Sequence, residues 1–432
     1  MNEKTSFEWE ELSKKIGSLE YKMGVLEIEG IPYKQFLRED QTPIFVFSQE
    51  RFKDNISNIS NAFQEFFEEV YIAYALKANT LSYVLAVASS VGCWAEVMSA
   101  FEMELAQTNR FAPSTMIFNG PAKTIEELQR ALAMGVRMIN IDSFAELKDI
   151  ERLMKKTGAH GEEPRTQLGI RLHPLLEEAL EKRALVRKTS KLGLDPARAT
   201  KILKYAAKSK VLDISAIHIH IGTQQATPAL HEGVASFVQE FVIELQKDNI
   251  EINTINLGGG FASRYLIEST GHNMRDFAEK IHSAMSKIET PYVLILEPGR
   301  FLVGDSFVVL TKIIREKKNW GRNWLLVDAG AHFLIPLRFS TFDVIPTRTT
   351  TRSSIKEIGG PLCLPTDRLQ GVKVNFETKE GDILAILNTG AYTISMSEQF
   401  GYPRPAIYTV NEERIMKLRR REKLADWTSL DV

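Results

Sequence analysis

Four reactive side chains or backbone segments each follow a short apolar stretch of the sequence. They are Lys77, His220, the glycine run that begins at Gly258, and Glu297. If the stretches are parallel strands of a barrel, these groups converge, because the active site of a (β/α)8 barrel lies at the carboxyl ends of its strands. Lys77 could then act as an amine nucleophile, since desolvation disfavours its charged form. Considered alone, Lys77 is more simply a lysine that reaches solvent from a strand end.

Two glycine-containing runs could hold an anionic ligand. Gly258, Gly259 and Gly260 offer bare backbone N–H groups that can approach a phosphate, although three glycines can also simply make a turn. Glu297 and Arg300 lie in the run EPGR and place a carboxylate and a guanidinium on one tight turn. That pair suits a ligand with a cationic ring nitrogen and an anionic group, and a salt-bridged turn is the alternative.

His218 and His220 alternate in HIHIGTQ, so both face the same side of the predicted strand. They could be metal ligands, but no further cluster of His, Asp or Glu completes such a site, and we predict no metal. A histidine ring stacked on a flat cofactor fits the pattern better.

The elements that must position these groups alternate between strands and helices. Amphipathic patterns separate the strands; one is predicted to start at the N-cap Thr124, with a capping box to Glu127, and to end at Gly135. Continuous apolar strands that alternate with helices favour a closed (β/α)8 barrel over an open doubly wound sheet. The eight predicted strands are 70–76, 93–97, 115–118, 137–141, 167–172, 214–219, 252–257 and 292–296.

Beyond about residue 305 the pattern changes to strands separated by turns, which predicts a mostly β domain. The run MGVLEIEG near the start predicts another strand, which could join those of the C-terminal part. We therefore expect an N-terminal segment over 1–42 that joins the β domain, a barrel over 43–304 and a C-terminal β domain over 305–432.

Composition excludes several classes of protein. The 432 residues include 54 Lys+Arg and 55 Asp+Glu, so the positive excess of a nucleic-acid-binding protein is missing. No apolar run approaches the ~18 residues of a membrane span, and the charged start has no signal-peptide core. Two cysteines are too few for a disulfide framework. We expect a cytoplasmic protein without nucleic-acid or membrane partners.

Six runs, in this order, resemble the fold type III pyridoxal-phosphate decarboxylases, the family of diaminopimelate and ornithine decarboxylases. They are YALKAN, HIHIGTQ, LGGGF, EPGR, GPLCLPTD and GAY. The resemblance covers roughly Pro43 to the C-terminus. It implies an alanine-racemase-like barrel plus a β domain, pyridoxal 5'-phosphate as the cofactor, and a homodimer whose active sites combine residues of both subunits.

The resemblance also implies roles for residues around the cofactor. Lys77 matches the lysine that binds the cofactor covalently, and His220 matches the histidine stacked on its pyridine ring. Gly258, Gly259 and Gly260 match the phosphate loop. Three further residues complete the site. Tyr392 matches the tyrosine that reaches the phosphate, Glu297 matches the acid paired with the pyridine nitrogen, and Arg300 matches a basic group at the phosphate or the substrate carboxylate.

Two further positions matter for the reaction. Cys363 matches a cysteine from the partner subunit that helps to protonate the product carbanion, and Asp367 matches an acidic residue just after it. A carboxylate at Glu297 keeps the pyridine nitrogen protonated and so deepens the electron sink. The resemblance implies a cationic partner at this position in alanine racemases, so Glu297 favours a decarboxylase.

The sequence departs from diaminopimelate decarboxylases at the distal substrate end. Leu364 replaces the usual glutamate that binds the distal amino group of the substrate. Pro336 stands where an arginine that binds the distal carboxylate is expected, with Arg338 nearby. The order Cys-Leu-Pro-Thr-Asp resembles the Cys-x-Pro-x-Asp form of relatives in siderophore and antibiotic pathways, which act on conjugated or carrier-linked amino acids.

We therefore expect decarboxylation of the α-carboxylate of an amino acid or amino-acid conjugate in a specialised biosynthetic pathway. The alternatives are a meso-diaminopimelate decarboxylase of lysine biosynthesis and a racemase or epimerase on the same fold. A non-catalytic binding protein is disfavoured, because Lys77 and Cys363 are both retained.

Overall fold

The structure is a computed structural model that describes residues 8–157, 166–174, 176, 190–220, 222–334, 342–350, 355–374 and 376–432. Pro336 and Arg338 lie outside the described residues. The chain divides into two compact units. The β unit comprises Met1–Asn55, Ala78–Tyr83 and Arg300–Val432, and the barrel unit comprises Ile56–Lys77 and Val84–Gly299.

The N-terminal part of the β unit contains a small antiparallel sheet. The strand predicted near residue 25 is β2, which pairs with β1 and β3 and also forms an antiparallel bridge, between Val25 and Arg348, with the C-terminal part of the chain. Gly24 and Gly30 have φ values of 74° and 73°, which allow the tight turns that fold this sheet on itself. The elements are α1 (Glu8–Ile16), β1 (Leu19–Lys22), β2 (Val25–Ile28), β3 (Ile31–Pro32) and β4 (Ile44–Phe47).

The barrel unit contains eight parallel strands in a closed barrel, as predicted from the apolar runs. Each strand is a short, largely buried segment, and β12 pairs with β5 to close the barrel. The strands are β5 (Val70–Ala75), β6 (Trp94–Val97), β7 (Met116–Phe118), β8 (Met138–Ile141), β9 (Gln167–Leu172), β10 (Ile214–Ile219), β11 (Thr254–Asn256) and β12 (Val293–Leu296). Ala73, Trp94, Ile117, Met138, Ala216 and Ile295 pack together as a buried core cluster.

Helices precede or connect the barrel strands, and two of them, α2 and α3, contain residues of both units. The capping prediction for α5 is confirmed, because Thr124 and Glu127 form a reciprocal capping box and Gly135 adopts a left-handed conformation with φ of 69°. The helices are α2 (Gln49–Gln64), α3 (Ser82–Ser90), α4 (Ala100–Thr108), α5 (Ile125–Met134), α6 (Phe144–Thr157), α7 (Pro196–Ala206), α8 (Ala229–Lys247), α9 (Arg264–Ser269) and α10 (Met274–Ala284).

The C-terminal strands form a nine-stranded sheet with β4. β4 lies between β13 and β19, antiparallel to β13 and parallel to β19, and its four residues are buried. This pairing places residues 44–47 in the β unit, whereas the barrel was expected to begin at residue 43. The elements are α11 (Arg300–Val303), β13 (Phe307–Asn319), β14 (Arg322–Val327), β15 (Asp343–Pro346), β16 (Lys356–Gly359), β17 (Arg368–Val374), β18 (Ile383–Leu387), β19 (Ala406–Asn411), β20 (Arg414–Arg419) and α12 (Leu424–Trp427).

Among the helices of the described residues, none is both long enough and apolar enough to cross a membrane.

Candidate active site

A lysine–glutamate pair joins the first two strand ends of the barrel. Lys77 lies in the 3-10 turn Leu76–Ala78 directly after β5, and its Nζ donates a hydrogen bond to Glu96 Oε2 on β6. The Lys77 side chain is 32% exposed, whereas that of Glu96 is 2% exposed. The amine therefore has a fixed buried partner on one side while part of the lysine remains accessible.

Asn119, at the end of β7, connects this pair to the last strand of the barrel. Its Nδ2 donates to Glu96 Oε1 at 2.9 Å and to Glu297 Oε1 at 3.0 Å. Asn140 on β8 orients the amide, because its Nδ2 donates to Asn119 Oδ1 at 2.7 Å. One buried hydrogen-bond network thus joins Lys77 to Glu297.

Glu297 directly follows β12 and is buried among hydrogen-bond donors. Asn256 Nδ2 lies 2.8 Å from its Oε1, and His218 Nε2 lies 3.1 Å from its Oε2. Burial alone would raise the pKa of the Glu297 carboxyl, but His218, Lys77 and Asn119 outweigh it and hold the pKa well below its usual range. Glu297 is therefore ionised at neutral pH and can pair with a buried cationic nitrogen.

His220 follows β10 and contacts the glycine run. Its Nδ1 accepts a hydrogen bond from the Gly259 N–H at 3.1 Å. Desolvation, together with the charges of Lys77 and Arg171, lowers the pKa of His220 to about 3, so the ring is neutral at pH 7. A neutral ring that accepts at Nδ1 carries its proton on Nε2.

The glycine run after β11 has no room for side chains. A Cβ on Gly258 would lie 2.5 Å from the Ile219 carbonyl oxygen, and one on Gly259 would collide with the Glu297 carbonyl oxygen. Gly258 and Gly260 also have φ values of 65° and 94°, which favour glycine. The run therefore brings bare backbone to the edge where Lys77, His220 and Glu297 meet.

Arg300 and Tyr392 belong to the β unit, where they contact each other. The Arg300 guanidinium lies 5.2 Å from the centroid of the Tyr392 ring, within cation–π range. Tyr392 has a φ of 65°, and its N–H donates to the Ala78 carbonyl at 2.7 Å. A non-glycine residue in this conformation marks a specifically shaped loop.

The segment with Cys363 also lies in the β unit. Cys363 and Leu364 are exposed, while Asp367 is buried. The Asp367 carboxylate accepts backbone hydrogen bonds from Ala331 and Leu362, each at 2.7 Å. Burial raises the pKa of Asp367 although these two N–H groups lower it. Asp367 is thus bonded to the backbone next to Cys363, and the role that the resemblance implies for it stays a prediction.

Sequence reasoning missed four residues of the barrel network: Glu96, Asn119, Asn140 and Asn256. Each is a buried polar residue within or directly after a barrel strand. A polar residue inside an otherwise apolar strand is costly unless it is paired, and this is the signal that could have identified them.

The chain resembles known decarboxylases along nearly its whole length. The family model "Pyridoxal-dependent decarboxylase, pyridoxal binding domain" matches residues 53–304. Diaminopimelate decarboxylase of Methanocaldococcus jannaschii is 29% identical over 96% of this chain and 97% of that protein.

Two solved structures of such enzymes share the fold. That of the M. jannaschii diaminopimelate decarboxylase in complex with L-lysine has a TM-score of 0.86 at 27% identity and covers 97% of this chain and 98% of its own. That of the Helicobacter pylori enzyme, also with L-lysine, has a TM-score of 0.81 at 27% identity and covers 92% and 99%.

Proposed function

The chain belongs to the pyridoxal-dependent decarboxylase family, and on this basis we propose that it removes a carboxylate from meso-diaminopimelate to give lysine. Family membership makes it an amino-acid carboxy-lyase with pyridoxal 5'-phosphate as its cofactor. The observation that carries the choice of substrate is the similarity to diaminopimelate decarboxylases over more than nine-tenths of the chain. It favours the lysine-pathway alternative over the specialised pathway expected from the Cys-x-Pro-x-Asp order.

The residues at the barrel strand ends fit this cofactor. A flat ring with a basic nitrogen, an aldehyde and a phosphate needs an anion, an amine and bare backbone donors. Glu297 is a buried anion, Lys77 is a partly accessible amine, and Gly258–Gly260 form a run that cannot accept side chains. We assign these three to the ring nitrogen, the aldehyde carbon and the phosphate, and His220 to the face of the ring.

When bound, pyridoxal phosphate supplies a conjugated ring that accepts the electron pair left on Cα by loss of carbon dioxide. Glu297 holds a proton at the ring nitrogen, and its partners His218, Asn119 and Asn256 keep the carboxylate ionised and oriented. Glu96 orients the Lys77 amine whenever that amine is released.

Cys363 is proposed to act from a second subunit, where its thiol delivers the proton that Cα takes up after carbon dioxide is lost. Its exposed position in the β unit leaves the thiol accessible to another molecule. Arg300 and Tyr392 are proposed to bind the phosphate or the substrate carboxylate.

An exposed apolar surface supports a homodimer. Four large apolar side chains, between 44% and 78% exposed, all lie in segments that follow barrel strands β6, β7 and β8: Met98, Phe101, Ile125 and Phe144. They therefore lie at the same edge of the barrel as Lys77. Exposed apolar side chains gathered at a functional edge are typical of an interface, and we propose that a second copy of the chain covers them.

A substrate panel scored for carbon dioxide release tests the proposed function. With pyridoxal phosphate bound, the enzyme should act on meso-diaminopimelate with kcat/KM of ~10^4 M⁻¹s⁻¹ or above. Lysine, ornithine and glutamate derivatives should react far more slowly. Release from one of these, without release from meso-diaminopimelate, would contradict the proposal.

Leu364 favours a second candidate, an amino acid whose distal end is conjugated or uncharged. Leu364 is 41% exposed at the position where a carboxylate would bind a distal ammonium group. Leu364→Glu should therefore raise kcat/KM for meso-diaminopimelate by ~10-fold over Leu364→Gln, which has the same length without the charge. Equal values in both variants, with efficient wild-type turnover, would show that other residues read the distal end and would exclude the second candidate.

A further inference from the structure

His231 on helix α8 lies behind the glycine run, outside the network that joins Lys77 to Glu297. Its ring stacks on Phe261, with centroids 4.3 Å apart and an interplanar angle of 10°, and meets the edge of Phe277 at 5.4 Å. The residue is 7% exposed. An aromatic cluster therefore fixes the plane of the imidazole.

The imidazole has one polar contact among the described residues, and it is to the glycine run. Its Nε2 lies 3.0 Å from the Gly259 carbonyl oxygen, whereas its buried Nδ1 has no hydrogen-bond partner in the described part of the chain. A carbonyl oxygen can only accept, so Nε2 carries the proton and donates it. Burial lowers the pKa of His231 to about 4, so the ring is neutral at pH 7 and Nε2–H is its only N–H donor.

The other two carbonyls of the run are held by backbone. The Gly258 oxygen accepts from the Glu297 N–H at 2.7 Å, and the Gly260 oxygen accepts from the Gln225 N–H at 3.0 Å. Within the described residues, the Gly259 carbonyl is thus the one in this run that depends on a side chain.

The Gly259 carbonyl shares its peptide plane with the Gly260 N–H. In a trans peptide these two groups point in opposite directions. A peptide between two glycines can rotate at low cost, because neither residue has a Cβ to restrict it. Holding the carbonyl against α8 therefore directs the Gly260 N–H away from that helix.

We propose that His231 is a positioning residue that fixes the Gly259–Gly260 peptide and so aims the Gly260 N–H at the phosphate of the cofactor. The inference rests on the proposed assignment of Gly258–Gly260 as the phosphate loop. A histidine that merely pairs with a buried carbonyl would affect the stability of the whole site. A positioning role instead predicts that loss of His231 weakens only the binding of the phosphate.

Two variants of equal length test the donor. His231→Met removes the hydrogen bond, while His231→Gln keeps an N–H donor on an unbranched side chain. Dissociation constants for pyridoxal phosphate and for pyridoxal, which lacks the phosphate, are measured on the apoprotein by tryptophan fluorescence. We expect His231→Met to weaken the binding of pyridoxal phosphate by ~10-fold, the effect of one lost hydrogen bond, and to leave the affinity for pyridoxal unchanged. His231→Gln should recover most of the loss.

Two further variants separate positioning from packing. His231→Phe preserves the ring stack but has no hydrogen-bond donor, so it should bind both ligands as His231→Met does. It also provides the donor-free measurement if the methionine variant folds poorly. Phe277→Leu disturbs the same cluster without touching Gly259 and should leave the ratio of the two dissociation constants unchanged.

The inference for His231 would be overturned if the donor-free variants lost affinity equally for both ligands. It would also be overturned if both variants bound pyridoxal phosphate as tightly as the wild-type protein. Equal affinity of the wild-type protein for the two ligands would instead overturn the phosphate-loop assignment on which it rests.

Discussion

Two buried carboxylates at the strand ends of the barrel differ in their partners. Glu96 accepts from the Lys77 amine, whereas Glu297 accepts from His218 and two asparagine amides. The first arrangement orients an amine, and the second stabilises a negative charge that can pair with a ring nitrogen. Two residues of one type thus serve different purposes because their neighbours differ.

At Lys77 we expect substitution to abolish the covalent attachment of the cofactor. Lys77→Arg keeps a positive charge beside Glu96 but has no primary amine, so borohydride reduction should leave no adduct on that peptide. Mass spectrometry of the digested protein measures the yield of the adduct on the peptide that contains residue 77. Lys123→Arg is the control, since Lys123 is another lysine paired with a glutamate, at 2.5 Å from Glu146. An undiminished adduct in Lys77→Arg would show that another lysine holds the cofactor.

At the scale of elements, Asn119 joins the ends of strands β6, β7 and β12. Asn119→Leu has a similar volume but removes a donor from both Glu96 and Glu297. Hydrogen bonds to charged groups are worth ~1.5–3 kcal/mol, so we expect kcat/KM to fall by ~10–100-fold. Steady-state kinetics checks this.

Asn109→Leu provides the control for that measurement, because Asn109 is similarly buried and, within the described residues, its hydrogen bonds lie at the end of helix α4. If both variants lose activity to the same extent, the effect is general destabilisation rather than loss of the bridge.

The barrel could be predicted from sequence because each strand is a local apolar run and helices such as α5 carry local caps. The role of β4 could not, because its four buried residues have the same apolar character as a barrel strand and its partners, β13 and β19, lie far along the chain. The hydrogen-bond network could not be predicted for the same reason. Asn119 and Glu297 are 178 residues apart, and only the closed barrel brings them together. Recognised motifs supplied Lys77, His220 and Glu297, whereas Asn119 lies in no such motif.

At the scale of the whole molecule, buried histidines make stability depend on pH. Desolvation, with nearby charges at His220, lowers the pKa of His220 to about 3, and desolvation lowers those of His231 and His332 to about 4. The unfolded chain binds these protons near pH ~6.5, so below that pH it holds more protons than the folded protein. The free energy of unfolding should therefore fall from pH 6.5 towards pH 4, by up to ~1.4 kcal/mol per pH unit for each histidine.

Urea unfolding of the apoprotein between pH 7.5 and 5 measures this dependence. His332→Phe should reduce the slope of this free energy against pH, because it removes one of the three buried imidazoles. A free energy of unfolding that does not change over this interval would contradict the expectation.

The proposed homodimer makes a prediction that no single-chain site can mimic. If Cys363 acts in the site that contains the partner's Lys77, then Lys77→Ala and Cys363→Ala are each nearly inactive but complement each other. In a mixed dimer one site carries both substitutions and the other carries neither. Half of the dimers are mixed after free exchange at equal amounts, and half of their sites are intact, so activity should recover to roughly a quarter of the wild-type value. Native mass spectrometry of differently tagged subunits confirms exchange. If both residues acted in one subunit, every site of the mixed dimer would carry one substitution, and no activity would return despite exchange.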